Sequence, residues 1–303
     1  MLRCSAIVIT YNSADAIGPC LEALAHEGCE IIVVDNASQD ATVQRVEEFV
    51  AWHEFRLLAN DRNLGFAAAA NQGAREASGD VLLLLNPDAI AEPGAVAALS
   101  QCMKATNAAA GGGALLEEDG EPARGFAFRR LPTPAALLFE ALLVNQLWPG
   151  NPVNRRYRCL DADYSQRQEV EQPAGACLVV TREAWNELGG FDEQFFPVWF
   201  EDVDVCKRLL ESGRKIVYCP TARFRHSGAH SVSRLRFRDR QVCWYSNMLR
   251  YARKHFSHSQ VRILWAGIIA GMLLRSAAAV FGVRQGPLGE TLAAYRAVIR
   301  DVR

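Results

Sequence analysis

The chain has 303 residues and half of them are hydrophobic, which excludes an intrinsically disordered protein and allows a sizeable buried core. Its nine cysteines are odd in number and lack CxxC spacing, so we expect reduced thiols in a cytosolic protein. The net charge of −1 conceals a polarity: residues 1–206 hold 30 acidic and 14 basic side chains, and residues 207–303 hold 4 and 19. The basic C-terminal part is therefore expected to meet an anionic partner.

The N-terminal third alternates short apolar runs with helical patterns. Strands are predicted at Ala6–Thr10, Glu30–Val34, Phe55–Leu58 and Val81–Leu85, and helices at Ala14–His26, from Asp40 to about Ala51, at Phe66–Ala77 and at Pro93–Lys104. This alternation predicts an α/β fold with a doubly wound, mostly parallel sheet. Ligands of such sheets bind at the carboxyl ends of the strands, so the residues after each strand are the candidates for a site.

The middle of the chain, residues 106–172, is less regular and is interrupted by glycine and proline. Long irregular segments are often functional, which makes this one a candidate acceptor-binding region. Beyond it a strand ends at Val179–Val180, Thr181 can cap the helix that carries Trp185, and another helix is predicted at Glu201–Ser212.

The C-terminal region looks helical from about Ser233. Ile263–Leu274 is an apolar run of 12 residues, Arg275 interrupts it, and Ala277–Val283 resumes it. As one helix this segment would be about 31 Å long, enough to span a bilayer, but Arg275 near its middle disfavours insertion. We expect an interfacial helix on an anionic membrane face; the alternative is a core helix packed on the main domain.

Carboxylates follow two of the predicted strands. Asp35 comes directly after Val34 and can accept hydrogen bonds from a nucleotide base or ribose. Asp88 ends the turn Asn86-Pro87-Asp88 and can hold a divalent cation against a diphosphate. Each could equally be an ordinary turn residue. The sequence has no G-x-G-x-x-G after the first strand and no P-loop, so dehydrogenase and NTPase functions lose their main support.

Three further carboxylates stand together at the start of the helix predicted at Glu201–Ser212. They are Glu201, Asp202 and Asp204, and an apolar Val-Trp-Phe segment precedes them. A helix N-terminus favours negative charge, which is one explanation. The apolar lead-in favours another, in which a carboxylate lies in a partly buried pocket and serves as a general base.

Taken in chain order, these motifs resemble those of the family 2 glycosyltransferases, which have the GT-A fold. The motifs that carry the resemblance are Ile7-Val-Ile-Thr-Tyr-Asn12, Val33-Val-Asp-Asn-Ala-Ser38, Asn63-Leu-Gly-Phe66, Asn71-Gln-Gly73, Leu84-Leu-Asn-Pro-Asp88, Gly189-Gly-Phe-Asp192, Phe200-Glu-Asp-Val-Asp204 and His226-Ser-Gly-Ala-His-Ser231. The pattern is most similar to that of bacterial rhamnosyltransferase-like members that build surface polysaccharide. The resemblance runs from Ile7 to about Ser231 and implies a catalytic GT-A domain at residues 1–231. The charge and the apolar run of the remaining residues, 232–303, predict a basic helical extension that can be membrane-associated.

The resemblance also implies roles for individual residues. Asp202 would be the general base. Glu201 and Asp204 beside it either position the acceptor or are ordinary helix-start acids. The nucleotide would be bound by Thr10, Asn12, Asp35, Asn63 and Gly65. Asp88, the last residue of the D-x-D motif, and His226 would ligate magnesium or manganese. The chain departs from the usual motif because Asn86 replaces the first acid, which lowers the local negative charge.

The implied function is inverting transfer of a sugar, with rhamnose favoured, from a nucleotide-diphosphate sugar to a hydroxyl. The implied donor is dTDP-rhamnose or a UDP-sugar, and the acceptor is a glycan or a polyprenyl-diphosphate-linked glycan. We expect a cytoplasmic protein, peripheral at the inner face of the cell membrane, that does not bind nucleic acid. A catalytically inactive nucleotide-binding protein and a membrane-surface adaptor with the same fold are the alternatives.

Overall fold

A computed structural model describes residues 2–50, 55–226, 228, 235–284 and 286–302. Its strands are β1 Cys4–Thr10, β2 Glu30–Asp35, β3 Phe55–Ala59, β4 Val81–Leu85, β5 Ala89–Ala91, β6 Ala110–Leu116, β7 Phe128–Arg129, β8 Gln168–Glu169, β9 Gln172–Pro173, β10 Cys177–Thr181 and β11 Ile216–His226. Its helices are α1 Ala14–Ala25, α2 Thr42–Val50, α3 Phe66–Glu76, α4 Ala95–Thr106, α5 Pro134–Ala141, α6 Val144–Leu147, α7 Pro152–Tyr157, α8 Arg182–Leu188, α9 Glu201–Glu211, α10 Phe237–His255, α11 His258–Val280 and α12 Leu288–Asp301.

One large sheet holds most of these strands. Their order is β3-β2-β1-β4-β10-β6-β11-β5, and β8 pairs with β11 outside this path. Strands β3, β2, β1 and β4 are mutually parallel, and so are β6 and β11. Strands β10, β5 and β8 run antiparallel to their neighbours. The sheet is therefore mixed but mostly parallel, as the sequence predicts for a GT-A fold with C-terminal helices.

The predicted N-terminal elements all form, with ends shifted by a residue or two. Strand β2 extends to Asp35 because that residue still pairs with Thr10 and Ala59 on its two sides. Helix α4 begins at Ala95 and not at Pro93, since Gly94 adopts a left-handed conformation with φ 82°. The predicted cap of α8 is confirmed: the Thr181 side chain accepts a hydrogen bond from the Ala184 amide.

The expectation that every cysteine is a free thiol is wrong for one pair. A disulfide joins Cys102 of α4 to Cys219 of β11, although 117 residues separate them in the chain. The other seven cysteines are thiols. Short-range spacing rules cannot find such a pair, because only the docking of α4 beside β11 brings its Cα atoms to 6.3 Å.

The chain forms two compact units. The larger comprises residues 1–131, 158–197 and 201–231, and the smaller comprises 132–157, 198–200 and 232–303. The larger unit contains the whole sheet and every residue to which the sequence assigns a role. The smaller unit adds α5, α6 and α7 to the C-terminal helices. Division of the chain at residue 231 into functional domains stays a prediction.

Helix α11 continues through the charged interruption that the sequence shows. It is the one helix among the described residues whose length and composition would allow it to cross a membrane. Its most apolar window has a mean hydropathy of 1.8. Its Arg275 is buried, and Nη1 donates a hydrogen bond to the carbonyl of Ala141 at 2.6 Å. The arginine is accommodated because backbone carbonyls of α5 accept hydrogen bonds from both of its terminal nitrogens.

Candidate active site

Asp35 orders the loop that follows β2. The side chain is fully buried; Oδ1 accepts hydrogen bonds from Thr10 Oγ1 at 2.7 Å and Ser38 Oγ at 2.5 Å, and Oδ2 accepts one from Ser38 N at 2.8 Å. Asn12 joins the same network: its backbone N–H donates to Ser38 Oγ, and its side-chain Oδ1 accepts from Gln39 N. The carboxyl ends of β1 and β2 therefore form one hydrogen-bonded surface.

Asn63 and Gly65 lie against that surface. Asn63 Oδ1 accepts a hydrogen bond from Gly65 N at 2.8 Å, and the Gly65 carbonyl accepts one from Asn36 Nδ2 at 3.1 Å. Gly65 has φ 84°, and a Cβ there would approach the Phe196 ring to 2.8 Å. Only glycine fits this position without strain. The structure thus brings together the five residues that the sequence assigns to the nucleotide.

Asp88 and His226 meet where β11 pairs with β5, at the edge of the sheet opposite β3. Antiparallel pairing sets His226 of β11 opposite Ala89 of β5, directly after Asp88. His226 Nε2 lies 3.4 Å from Asp88 Oδ1, and both side chains are buried. The imidazole also stacks on Phe126, with ring centroids 5.5 Å apart. The carboxylate oxygen suits magnesium or manganese, and the imidazole nitrogen beside it makes manganese a reasonable ion.

The pair alone is an incomplete coordination sphere. Within the described residues, no group of three or more His, Cys, Asp or Glu side chains is arranged to hold a metal. Asn86, which replaces the first acid of the motif, directs its backbone amide to the Ala176 carbonyl at 3.0 Å. A cation held by Asp88 and His226 would therefore need further oxygen ligands from a substrate or from water.

Asp202 is held at the first turn of α9. Its Oδ2 accepts hydrogen bonds from Gly175 N at 3.0 Å and Gln172 Nε2 at 3.1 Å, and its Oδ1 accepts one from Val203 N at 2.8 Å. Burial raises the pKa of this carboxyl above its ordinary value, although the hydrogen bonds from Val203 and Gly175 and the charge of Arg129 oppose the rise. A carboxylate with a raised pKa and a fixed orientation fits the requirements of a general base.

Asp202 is also connected to the turn that carries Asp88. Gly175, which holds Asp202, precedes Ala176, whose carbonyl receives the Asn86 amide. The antiparallel pairing of Cys177 with Leu85 sets this connection, because it places the start of β10 beside the end of β4. The proposed base and the proposed metal pair therefore flank the same strand end.

The neighbouring carboxylates of α9 differ from Asp202. Glu201 is buried in the first turn. Asp204 is fully buried and accepts a 2.7 Å hydrogen bond from Arg208 Nε, one turn along the helix. The Arg208 guanidinium also donates to the carbonyls of Leu188 and Gly190. Asp204 therefore acts in the packing of α9 against the end of α8, through its ion pair with Arg208.

The sequence did not single out four residues around this site: Phe126, Arg129, Gln172 and Gly175. Arg129 of β7 pairs in register with Gln172 of β9, and its guanidinium carbon lies 5.7 Å from the Phe126 ring centroid. Phe126 thus links the surroundings of His226 to Arg129, and Gln172 links Arg129 to Asp202. These residues fall in and just after the segment that the sequence marked as acceptor-binding. Strands of two residues are too short to show a periodic pattern.

His230, the second histidine of the last motif, lies outside the described residues. No structural role follows for it or for residues 229–234.

Comparison with known proteins agrees with this geometry. Residues 5–156 match the family described as glycosyl transferase family 2, and residues 155–231 match the N-terminal domain of galactosyltransferase. Over 245 residues the chain is 31% identical to the N-acetylglucosaminyl-diphospho-decaprenol L-rhamnosyltransferase of Mycobacterium tuberculosis, covering 75% of this chain and 77% of that protein. The chain belongs to glycosyl transferase family 2.

More distant similarity extends to one further sequence and to two solved structures. A low-salt glycan biosynthesis hexosyltransferase of Haloferax volcanii is 22% identical over 71% of this chain and 64% of its own length. The mannosyltransferase PcManGT from Pyrobaculum calidifontis, solved with GDP-Man and Mn2+, superposes with a TM-score of 0.56 at 16% identity, over 99% of this chain and 84% of that one. S. aureus TarS, solved with UDP-GlcNAc, superposes with a TM-score of 0.58 at 16% identity, over 98% and 82%. The protein is a GT-A-fold glycosyltransferase that acts on a nucleotide sugar.

Proposed function

We propose that this family 2 glycosyltransferase transfers rhamnose, with inversion, from dTDP-rhamnose to a hydroxyl of a polyprenyl-diphosphate-linked glycan. The main structural support for this chemistry is the hydrogen bond from the Gly175 amide to Asp202. The next residue, Ala176, accepts a hydrogen bond from the Asn86 amide and so links Asp202 to the Asn86-Pro87-Asp88 turn. The identity of the sugar and the acceptor is supported by the M. tuberculosis relative, whose name specifies rhamnose and a decaprenyl-diphosphate-linked acceptor. A UDP-sugar is the competing donor.

In this proposal Asp202 removes the proton of the acceptor hydroxyl as its oxygen attacks the anomeric carbon. The bond from that carbon to the donor's diphosphate oxygen breaks in the same displacement, and the electron pair leaves with the nucleoside diphosphate. Because attack and departure occur on opposite faces, the anomeric configuration inverts. Glu201, next to the base, would position the acceptor.

The two ends of the donor are assigned to two parts of the sheet edge. The surface formed by Thr10, Asn12 and Asp35, with Asn63 and Gly65 against it, would bind the nucleoside. Its hydrogen-bonded backbone loops offer directional contacts to a base and a ribose. Asp88 and His226 would lie at the diphosphate.

Asp88 and His226 are proposed to hold a magnesium or manganese ion together with the donor's diphosphate. A bound divalent cation would offset the negative charge that develops on the leaving diphosphate. The buried carboxylate and imidazole, 3.4 Å apart, fit such an ion as part of its coordination sphere. The Mn2+ in the structure of the P. calidifontis mannosyltransferase adds support.

A lipid-linked acceptor requires access to a membrane. We propose that the protein is cytoplasmic and peripheral at the inner face of the cell membrane. The excess of basic residues in 207–303, 19 against 4 acidic, supports contact with an anionic surface.

A donor screen tests the proposal. The full-length protein is mixed with Mn2+, a short-chain prenyl-diphosphate N-acetylglucosamine and, in parallel, dTDP-rhamnose, UDP-glucose, UDP-N-acetylglucosamine or GDP-mannose. We expect dTDP release and a rhamnosylated product only with dTDP-rhamnose. Transfer from another donor with none from dTDP-rhamnose would refute the assignment of the sugar. Full transfer in excess chelator would refute the assignment of the metal.

A further inference from the structure

The outer face of α11 is an apolar stripe that the rest of the described chain leaves uncovered. Its members recur at intervals of three and four residues, and all are exposed: Ile263, Ala266, Ala270, Leu273, Ala277 and Val280. Leu274 and Phe281 widen this stripe, and Phe281 is 86% exposed. Single exposed apolar side chains are common on protein surfaces, whereas a contiguous stripe along a whole helix indicates a binding surface.

The opposite face of α11 is fixed to its own unit. Gly271 lies directly against the carbonyl of Ala141, where a side chain would collide with that oxygen. The Arg275 guanidinium donates to the Ala141 and Glu140 carbonyls and lies 5.6 Å from the Tyr245 ring centroid. A spanning orientation would carry this guanidinium and the short helix α5 into the hydrocarbon, which is costly. The packing therefore favours a helix that lies flat.

The charges around the stripe select its partner. Arg253, Arg262 and Arg284 are exposed at its ends, and no acidic residue occurs in the sequence between Asp239 and Glu290. Two copies of the protein meeting through this face would bring like charges together. Anionic phospholipid headgroups complement them instead.

We propose that α11 lies in the plane of an anionic lipid leaflet, with its stripe among the acyl chains and the flanking arginines at the phosphates. The contact is one-sided, so the protein is held on the membrane without crossing it. Trp265, 39% exposed on the same helix, has the amphipathic ring that is typical of the interfacial level. The inference rests on the proposed function only in that a lipid-linked acceptor would lie in the same leaflet.

Vesicle binding tests the surface directly. The full-length protein is floated with vesicles of phosphatidylglycerol and phosphatidylcholine, and with vesicles of phosphatidylcholine alone. We expect binding to the anionic vesicles, weakened by high salt, and release of the bound protein by alkaline carbonate. Leu273→Glu should reduce binding at least ~10-fold, because a charge at a lipid-facing helix position is strongly disfavoured. As a matched pair, Ala270→Glu on the stripe should weaken binding, and Ala293→Glu on an exposed position of α12 should not.

Three outcomes would overturn the inference. Retention after carbonate treatment would show that the helix spans. Equal binding of Ala270→Glu and Ala293→Glu would show that the stripe is not the contact. Absence of vesicle binding, together with a dimer that Leu273→Glu dissociates, would identify a second copy as the occupant.

A transfer assay on the same proteins separates this inference from the proposed function. Transfer to a water-soluble acceptor analogue should be equal in the wild-type protein and Leu273→Glu. Wild-type protein that binds anionic vesicles but transfers no sugar would refute the function and leave the membrane surface supported.

Discussion

Replacing Asp202 with asparagine removes the proposed base and changes little else in shape. Oδ1 of the new side chain can still accept the Val203 amide, but its Nδ2 then faces two donors, Gly175 N and Gln172 Nε2. Gln172 can offer its oxygen only by rotating its amide, which gives up the hydrogen bond from its Nε2 to the Pro173 carbonyl. The backbone N–H of Gly175 cannot, so one buried donor loses its acceptor. We expect a loss of about 1–3 kcal/mol in the free energy of unfolding.

The effect on catalysis should be larger than that stability loss can explain. Removal of a general base lowers turnover by at least ~10². A protein that loses only a few kcal/mol of stability remains folded under assay conditions, so the number of active molecules changes little. The assay measures sugar transfer at saturating donor and acceptor, donor affinity by calorimetry, and unfolding in urea. We expect unchanged donor affinity with the turnover lost.

Asp204→Asn is the matched control, because it neutralises a carboxylate two residues away on the same helix. It removes the charge partner of Arg208 and should cost about 3–5 kcal/mol of stability. Turnover per folded molecule should stay within a few-fold of wild type. The reasoning is refuted if Asp202→Asn turns over normally, or if Asp204→Asn loses turnover to the same degree.

Three further substitutions test other parts of the structure. Arg129→Gln should move the acid limb of the pH profile of kcat/KM to higher pH, because the cation that lowers the pKa of Asp202 is gone. The control is Arg130→Gln, which removes an exposed ion pair with Glu171 and should leave the pH profile unchanged. His226→Gln should raise the Mn2+ concentration for half-maximal activity by at least ~10-fold, because even residues that only hydrogen-bond a metal ligand cause a loss of that size when they are replaced. An unchanged metal dependence would show that His226 is not a metal ligand. Arg275→Met should lower the free energy of unfolding, measured by urea titration, by about 1–3 kcal/mol, because two buried carbonyls lose their donor. The control is Arg284→Met at an exposed position, whose free energy of unfolding should stay within about 0.5 kcal/mol of wild type.

The sequence by itself determined the N-terminal half of the sheet and the positions of the polar clusters. Apolar runs such as Val81–Leu85 and the turn residues after them are local signals, since strand periodicity and turn chemistry act over a few residues. For that reason the sequence alone places Asp35 and Asp88 at strand ends and Asp202 at the start of a helix. The order of the motifs also indicated the family, which the similarity to known proteins establishes.

Only the tertiary structure decided which distant residues meet. Insertion of β10 between β4 and β6 carries Gly175 to Asp202, and the docking of α4 on β11 carries Cys102 to Cys219. The same holds for Arg275, whose burial depends on carbonyls of α5 more than a hundred residues earlier. Such contacts depend on strand order and helix docking, and neither is encoded in the local pattern of the residues that make them.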